Sequence, residues 1–146
     1  MILEYAQLLS GAHHFHGSVD DRLYKPTHMK HPSALWVQES RTNYQFVRDL
    51  LDNLFEEYDY RYGKFHKTLN MFRAIQTFPK QQPDMGSTPF RLCMPDEYKD
   101  EHPVYAYRKF YLGEKSRFAK WSHSDIPLWY YTGDIMQEGF KNIKGN

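Results

Sequence analysis

The stretch LLDNLFEEYDYRYGK, residues 50–64, shows most clearly which fold this chain adopts. Apolar side chains recur in it at spacings of three and four residues, which is the period of a helix that buries one face. These side chains are Leu50, Leu51, Leu54, Phe55 and Tyr58. Glycine commonly follows the last residue of a helix, so Gly63 predicts where this helix ends.

Working outward, the same spacing extends upstream to Pro32, with a break near Ser40. Further helices are predicted over residues 1 to about 14, from about Lys64 to Thr77, and from Pro103 until shortly before Trp121. Four prolines make residues 79–95 an irregular loop. No segment alternates as a strand would. The predicted fold is therefore all-α, a single compact helical domain of about four main helices with a long Pro-rich loop, covering residues 1–132. A polar C-terminal tail is predicted for residues 133–146.

Length, charge and cysteine content exclude several classes of protein. The chain has 146 residues and a net charge of +1, which argues against a strongly basic DNA-coating protein. The single cysteine, Cys93, rules out a disulfide framework within the chain. No apolar run approaches the roughly 20 residues of a membrane helix, so no membrane partner is predicted. We expect the protein in the cytoplasm.

Aromatic residues make up 17% of the chain, with 12 Tyr, 10 Phe and 3 Trp. Such rings either build a core, where each buries a large area, or form a surface that stacks on flat bases. The composition leaves both interpretations open.

Glu4 is the candidate catalytic residue, because it lies in the predicted first helix beside apolar positions. A carboxylate held against an apolar face has a raised pKa and can act as a general acid or base. The alternative is a solvated glutamate that interacts favourably with the N-terminal end of the helix dipole.

Basic and aromatic residues interleave in two places, and both are candidate sites for nucleotides or phosphate. If a helix begins at Lys64, its first amides face an anion beside the cationic groups of the surrounding cluster. A second stripe holds Arg108, Lys115, Arg117 and Lys120 among aromatic rings, as contacts to a nucleic-acid backbone require. The predicted nucleotide- or phosphate-binding residues are Arg61, Lys64, His66, Lys67, Arg108 and Lys115. The predicted base-stacking residues are Tyr62, Trp129 and Tyr130.

Five histidines near the start of the chain are the candidate metal ligands that the sequence offers. His28 and His31 have the spacing of a ligand pair on one helical turn, and His13, His14 and His16 lie upstream of them. No carboxylate stands at a matching distance, so neither a metal nor a cofactor is predicted.

Three segments carry a resemblance to a known family: HPSALWVQES (31–40), EYDYRYGKFHK (57–67) and MPDEYK (94–99). Over residues 1–131 the chain resembles an uncharacterised family of small proteins found widely in tailed phages. The first helix and the segment IPLWYY (126–131) are distantly similar to endonuclease V-type pyrimidine-dimer DNA glycosylases. By this resemblance we expect that the upstream segment with the N-terminal nucleophile of those proteins has no counterpart in this sequence. If a phage encodes the chain, the cytoplasm in which we expect it is that of the host cell.

This resemblance implies a small all-α enzyme in which an N-terminal amine attacks the damaged nucleotide's sugar and Glu4 assists ring opening and β-elimination. Trp129 and Tyr130 would then contact DNA. The partner would be DNA or a small nucleotide. Two alternatives remain open: a non-catalytic phage protein that sequesters a nucleotide of host defence, and a structural helical domain that assembles into a homo-oligomer.

Overall fold

The computed structural model describes residues 1–142, and helices dominate this part of the chain. It contains six α-helices: α1 (Ile2–Phe15), α2 (Pro32–Glu39), α3 (Arg41–Tyr62), α4 (Leu69–Ile75), α5 (Pro103–Phe110) and α6 (Leu128–Thr132). Two short strands, β1 (Ile126–Pro127) and β2 (Phe140–Lys141), pair antiparallel. The mostly helical class is confirmed. The strand pair was missed because two residues are too few for alternation to show.

The chain divides into two compact units, Met1–Arg91 and Leu92–Asn146, which are described separately. The predicted domain of residues 1–132 and the predicted tail of residues 133–146 stay predictions. Residues 143–146 of that tail lie outside the described residues. Among residues 1–142, no helix combines the length and the apolar character that crossing a bilayer requires.

The core of the first unit forms where α1 packs against α2 and α3. Ala6, Leu9 and Ala12 recur every three residues along α1 and are fully buried. Tyr44 and Leu51 of α3 are buried in the same core. Burying side chains of this size stabilises the fold by about 1.5–3 kcal/mol for each large residue.

Ser40 separates α2 from α3, which confirms the predicted break. Its backbone is extended, with φ −148° and ψ 145°, so the chain leaves the helical conformation for one residue. The Ser40 hydroxyl accepts a hydrogen bond from the Thr42 amide at 3.3 Å and thereby caps α3. The same hydroxyl donates to Asp84 at 3.1 Å, which connects the break to the Pro-rich loop.

The third predicted helix begins later than expected, at Leu69 instead of Lys64. Gly63 ends α3 in the left-handed conformation, at φ +59°, and its amide donates to the Asp59 carbonyl at 2.7 Å. This conformation turns the chain away from the helix axis, so the next residues cannot start a helix at once. The side chain of His66 then accepts from the Thr68 amide at 3.2 Å, one residue before α4 begins.

Buried polar side chains hold the Pro-rich loop against the helices. Asn43 on α3 is 1% exposed, and its amide nitrogen donates to the Trp36 carbonyl at 2.8 Å and to the Thr88 hydroxyl at 2.7 Å. Its amide oxygen accepts from the Thr88 backbone at 3.1 Å. Gln82 donates to the Val37 carbonyl at 2.7 Å. The loop is therefore ordered by hydrogen bonds that replace the missing secondary structure.

The second unit buries much less of its side chains. Among its described residues, 92–142, only Ala106 is buried, and the aromatic rings are half-buried or exposed. Gly113 permits a close approach between two turns, because a Cβ atom there would lie 2.5 Å from the Tyr98 hydroxyl. That hydroxyl donates to Glu114 at 2.9 Å.

Replacing Asn43 with alanine tests whether its amide anchors the Pro-rich loop. We expect Asn43→Ala to lower the free energy of unfolding by about 2 kcal/mol or more, because buried partners on Trp36 and Thr88 lose their bonds. Urea denaturation followed by circular dichroism measures the change. Asn53→Ala, at an exposed position of the same helix, is the matched control and should change stability by less than about 0.5 kcal/mol. Equal effects of the two substitutions would contradict the anchoring role.

Candidate functional site

A cavity of about 510 Å³ opens beside the first turns of α1. α1 supplies one wall, and the loop leading into α2 supplies the other. Its lining residues are Glu4, Tyr5, Gln7, Leu8, Thr27, His28, His31 and Ser33. The volume falls within the range of about 300–1,000 Å³ that is usual for small-ligand sites. The predicted catalytic residue thus lies at a cavity, together with two imidazoles that the prediction left unused.

The environment of Glu4 is the solvated alternative, not the apolar face that the acid–base argument requires. Its side chain is 74% exposed, so it is not desolvated against an apolar face. The carboxylate Oε2 lies 3.4 Å from the amino nitrogen of Met1. Glu4 is therefore a solvated acceptor at the cavity edge, and the desolvation argument for acid–base chemistry is wrong.

The opposite wall is a tight turn that ends at the first residue of α2. His28 has φ +48°, a left-handed conformation that costs a non-glycine residue on the order of 1 kcal/mol. The His28 carbonyl accepts from the His31 amide at 2.9 Å and closes the turn. His31 Nδ1 accepts from the Ser33 amide at 3.2 Å. Because that nitrogen is an acceptor, a neutral His31 ring carries its proton on Nε2.

His13, His14 and His16 connect α1 to neighbouring segments through hydrogen bonds. His14 Nε2 donates to the Tyr24 carbonyl at 2.9 Å, and His16 Nε2 donates to the Gln38 carbonyl at 2.8 Å. His13 is buried, with Nε2 2.9 Å from the Tyr44 hydroxyl. Within residues 1–142, no three His, Cys, Asp or Glu side chains are grouped so as to hold a metal ion.

The cluster at the end of α3 is brought together only in part. Arg61 forms an ion pair with Glu57, and His66 packs edge-on against Tyr58, with ring centroids 4.9 Å apart. Since α4 begins at Leu69, Lys64 and Lys67 precede the helix and its first amides do not face an anion at Lys64. The anion site that a helix start at Lys64 would have created is therefore not formed, and phosphate binding by Arg61, Lys64, His66 and Lys67 stays a prediction.

Exposed groups nevertheless remain at this end of α3. Lys64 and Lys67 are exposed, and Tyr62 is exposed with its ring centroid 4.7 Å from that of Tyr58. Phe65 is also exposed beside them. The predicted stacking role of Tyr62 stays a prediction that this geometry permits.

In the second unit, Arg108 is already bonded to protein groups. Its guanidinium donates to both carboxylate oxygens of Glu138, at 2.9 and 3.2 Å, and to the Ile135 carbonyl at 2.8 Å. It also lies over the Trp129 ring, 5.3 Å from the centroid, and its side chain is only 14% exposed. Binding phosphate at Arg108 would require breaking this arrangement, so its role here is to hold α5 to the segment after α6.

The predicted stacking residues Trp129 and Tyr130 are packed as well. Both contact Tyr111 edge-on, at 5.9 and 6.0 Å between ring centroids, and Tyr130 also contacts Trp121. The Tyr130 hydroxyl donates to the Ser116 carbonyl at 3.3 Å. These rings support the turn at residues 116–118 more than they offer open faces for bases.

Three cations of this unit lie on one short segment, 115–121, which we name the KRK segment after Lys115, Arg117 and Lys120. None of these three forms an ion pair within residues 1–142. Arg117 Cζ lies 4.6 Å from the centroid of Phe118, whose ring is 65% exposed. The sequence places Arg117 and Lys120 in the basic stripe, but the predicted phosphate-binding residues of that stripe are Arg108 and Lys115. The ion pair of Arg108 with Glu138 joins residues 30 positions apart and cannot be inferred without the fold.

Comparisons of the chain with family models, with curated proteins and with solved structures found no match. The resemblance to the phage family and to pyrimidine-dimer glycosylases therefore stays a prediction.

The buried imidazole of His13 predicts how stability depends on pH. Burial lowers the pKa of His13 from its ordinary value of 6.5, although hydrogen bonding to Thr77 opposes the shift. Below pH 6.5, His13 therefore binds a proton in the unfolded chain while it stays neutral in the folded chain. His13 therefore contributes stability that is complete above pH 6.5 and is lost as the pH falls toward the folded-state pKa.

The free energy of unfolding should fall as the pH is lowered from 7.5 to 5.5, and we expect this fall to be smaller in His13→Gln. The slope should differ from that of the unmodified protein by up to about 1.4 kcal/mol for each pH unit. Urea denaturation at both pH values measures it. His123→Gln, at an exposed position, is the control. An unchanged pH dependence in His13→Gln would show that this imidazole is not held neutral by burial.

Proposed function

We propose that this protein binds unpaired nucleic acid, with the KRK segment as the main contact for phosphates. The observation that carries the proposal is the set of three cations that have no acidic partner within residues 1–142 and lie beside an exposed aromatic ring. Residues 103–121 hold five basic side chains (Arg108, Lys109, Lys115, Arg117 and Lys120) against one acidic side chain, Glu114. A near-neutral chain can thus present a locally positive surface.

The physical basis is the combination of charge with open ring faces. Lysine and arginine release counterions when they contact phosphates, and exposed rings stack on bases whose own faces are free. Phe118 is an exposed ring of this kind beside the KRK segment. Stacking requires unpaired bases, so single strands or extruded nucleotides suit this surface better than an intact duplex. A role inside a host cell belongs to the same proposal.

Catalysis of the glycosylase and abasic-site lyase type is a second candidate, favoured by the 3.4 Å distance between the Met1 amine and Glu4. The amine would add to C1′ of an abasic sugar and release water, forming an imine. Glu4 would accept the proton from C2′ as the bond from C3′ to its phosphate oxygen breaks. A nucleotide-sequestering role would use the same residues for binding without turnover.

Binding of a fluorescent oligothymidylate tests the main proposal. We expect the triple variant Lys115→Gln, Arg117→Gln, Lys120→Gln to bind at least tenfold more weakly, because three phosphate contacts are lost. The slope of log K against log salt should become shallower by about 2, at roughly 0.7 for each contact to a single strand. Fluorescence anisotropy at several salt concentrations gives both quantities.

The matched control for this experiment is Lys25→Gln, Lys30→Gln, Lys80→Gln, which removes the same charge from exposed positions of the first unit. Equal losses in both triple variants would mean that only net charge matters and would contradict a site on the KRK segment. A mass that rises with protein concentration, without any effect of oligonucleotide, would favour the self-assembling alternative.

Trapping with borohydride tests the catalytic candidate. We expect an abasic oligonucleotide to become covalently linked to the chain at Met1, because borohydride reduces the imine. Glu4→Gln should lose most of the strand cleavage but still form the adduct, because Glu4 acts after the imine has formed, while Glu56→Gln, at an exposed helical glutamate, should change neither. Mass spectrometry of the digested adduct locates the link. No adduct, or a link at a lysine, would reject this chemistry and leave strand binding standing.

A further inference from the structure

The cavity beside α1 is lined by different chemical groups on its two sides, and the KRK segment plays no part in it. Glu4 is its one carboxylate among the lining residues, and a carboxylate offers two acceptor oxygens and no donor. Tyr5 and Leu8 add apolar surface on the same helix. The Thr27 hydroxyl and the His28 imidazole lie on the opposing loop, and the Ser33 hydroxyl lies at the start of α2. The cavity thus combines an acceptor, an apolar wall and a polar wall.

A flat base with two adjacent N–H donors matches the carboxylate best. Guanine presents N1–H and the N2 amino group side by side, so both can donate to one carboxylate, as in other bidentate pairs. Adenine and cytosine offer one amino donor next to a ring acceptor, which the carboxylate repels. Uracil and thymine place their single N–H between two carbonyl oxygens. The carboxylate therefore favours guanine for two reasons. Guanine donates two hydrogen bonds to it, and the other bases place an acceptor atom that the negative charge repels next to their donor.

We propose that this cavity binds a guanine base, with the Watson–Crick edge on Glu4 and the ring against Tyr5 and Leu8. The choice of a nucleobase as ligand rests on the proposed nucleic-acid function. A base held in this way is unpaired, as an extruded or single-stranded nucleotide is, and its edge is read while the ring is buried. The polar wall at Thr27 and Ser33 faces the remaining oxygens of the ligand.

The probe is guanosine 5′-monophosphate, titrated into the full chain by calorimetry and compared with inosine 5′-monophosphate. Inosine lacks only the N2 amino group, so it keeps the size, charge and ring of guanine and loses one donor. We expect inosine monophosphate to bind at least tenfold more weakly, and uridine monophosphate to bind more weakly still. Equal binding of the guanosine and inosine compounds would overturn the assignment, as would no binding of either.

Variants then locate the site. Glu4→Gln should weaken guanosine monophosphate at least tenfold and abolish its preference over inosine monophosphate. Glu56→Gln, which removes the same charge from an exposed position of α3, should leave both affinities unchanged. Because Glu4 is solvated, its substitution should leave the circular dichroism spectrum intact. A preference for guanine that survives Glu4→Gln would place the site elsewhere and overturn the proposal.

The two proposals fail separately. The triple variant of the KRK segment should bind oligothymidylate more weakly and should bind guanosine monophosphate as before. Thymine does not offer the paired donors that Glu4 accepts, so the two ligands report on different sites. If the unmodified protein binds oligothymidylate and not guanosine monophosphate, the guanine site is wrong and strand binding stands. If it binds guanosine monophosphate alone, the guanine site stands and the KRK segment is wrong.

Discussion

The hydrogen bonds of the Asn43 amide are the interaction on which the ordered first unit most depends. This one side chain bonds to the Trp36 carbonyl in α2 and to both the backbone and the hydroxyl of Thr88 in the Pro-rich loop. It therefore fixes α2 and the loop on α3 at once. A buried amide left without such partners would cost about 1–3 kcal/mol, so losing these bonds weakens the attachment of both α2 and the loop to α3.

The candidate cavity inherits its shape from that arrangement. α2 begins at Pro32, and the turn before it carries His28 and His31 toward the cavity beside α1. The position of α2 against α3 decides how far this turn lies from Glu4. The hydrogen bonds of Asn43 thus help to position the wall of the cavity, although Asn43, Trp36 and Thr88 do not line the cavity.

Electrostatics in the second unit follows from which cations are already paired. Arg108 and Lys109 form ion pairs with Glu138 and Asp100, and both therefore act within the fold. The cations of the KRK segment have no such acidic partners among the described residues. This difference sets the local charge, which explains how a chain of net charge +1 can present a locally positive surface.

Local pattern by itself determined the helical class, the break at Ser40 and the end of α3 at Gly63, because helix period, capping and left-handed glycine act over a few residues. It also singled out Glu4 but left its environment open between an apolar face and solvent. Only the tertiary structure decided that Arg108 pairs with Glu138 and that the loop at His28 closes a cavity. Those outcomes join residues far apart in sequence, and their energy comes from contacts that exist only after the helices have packed.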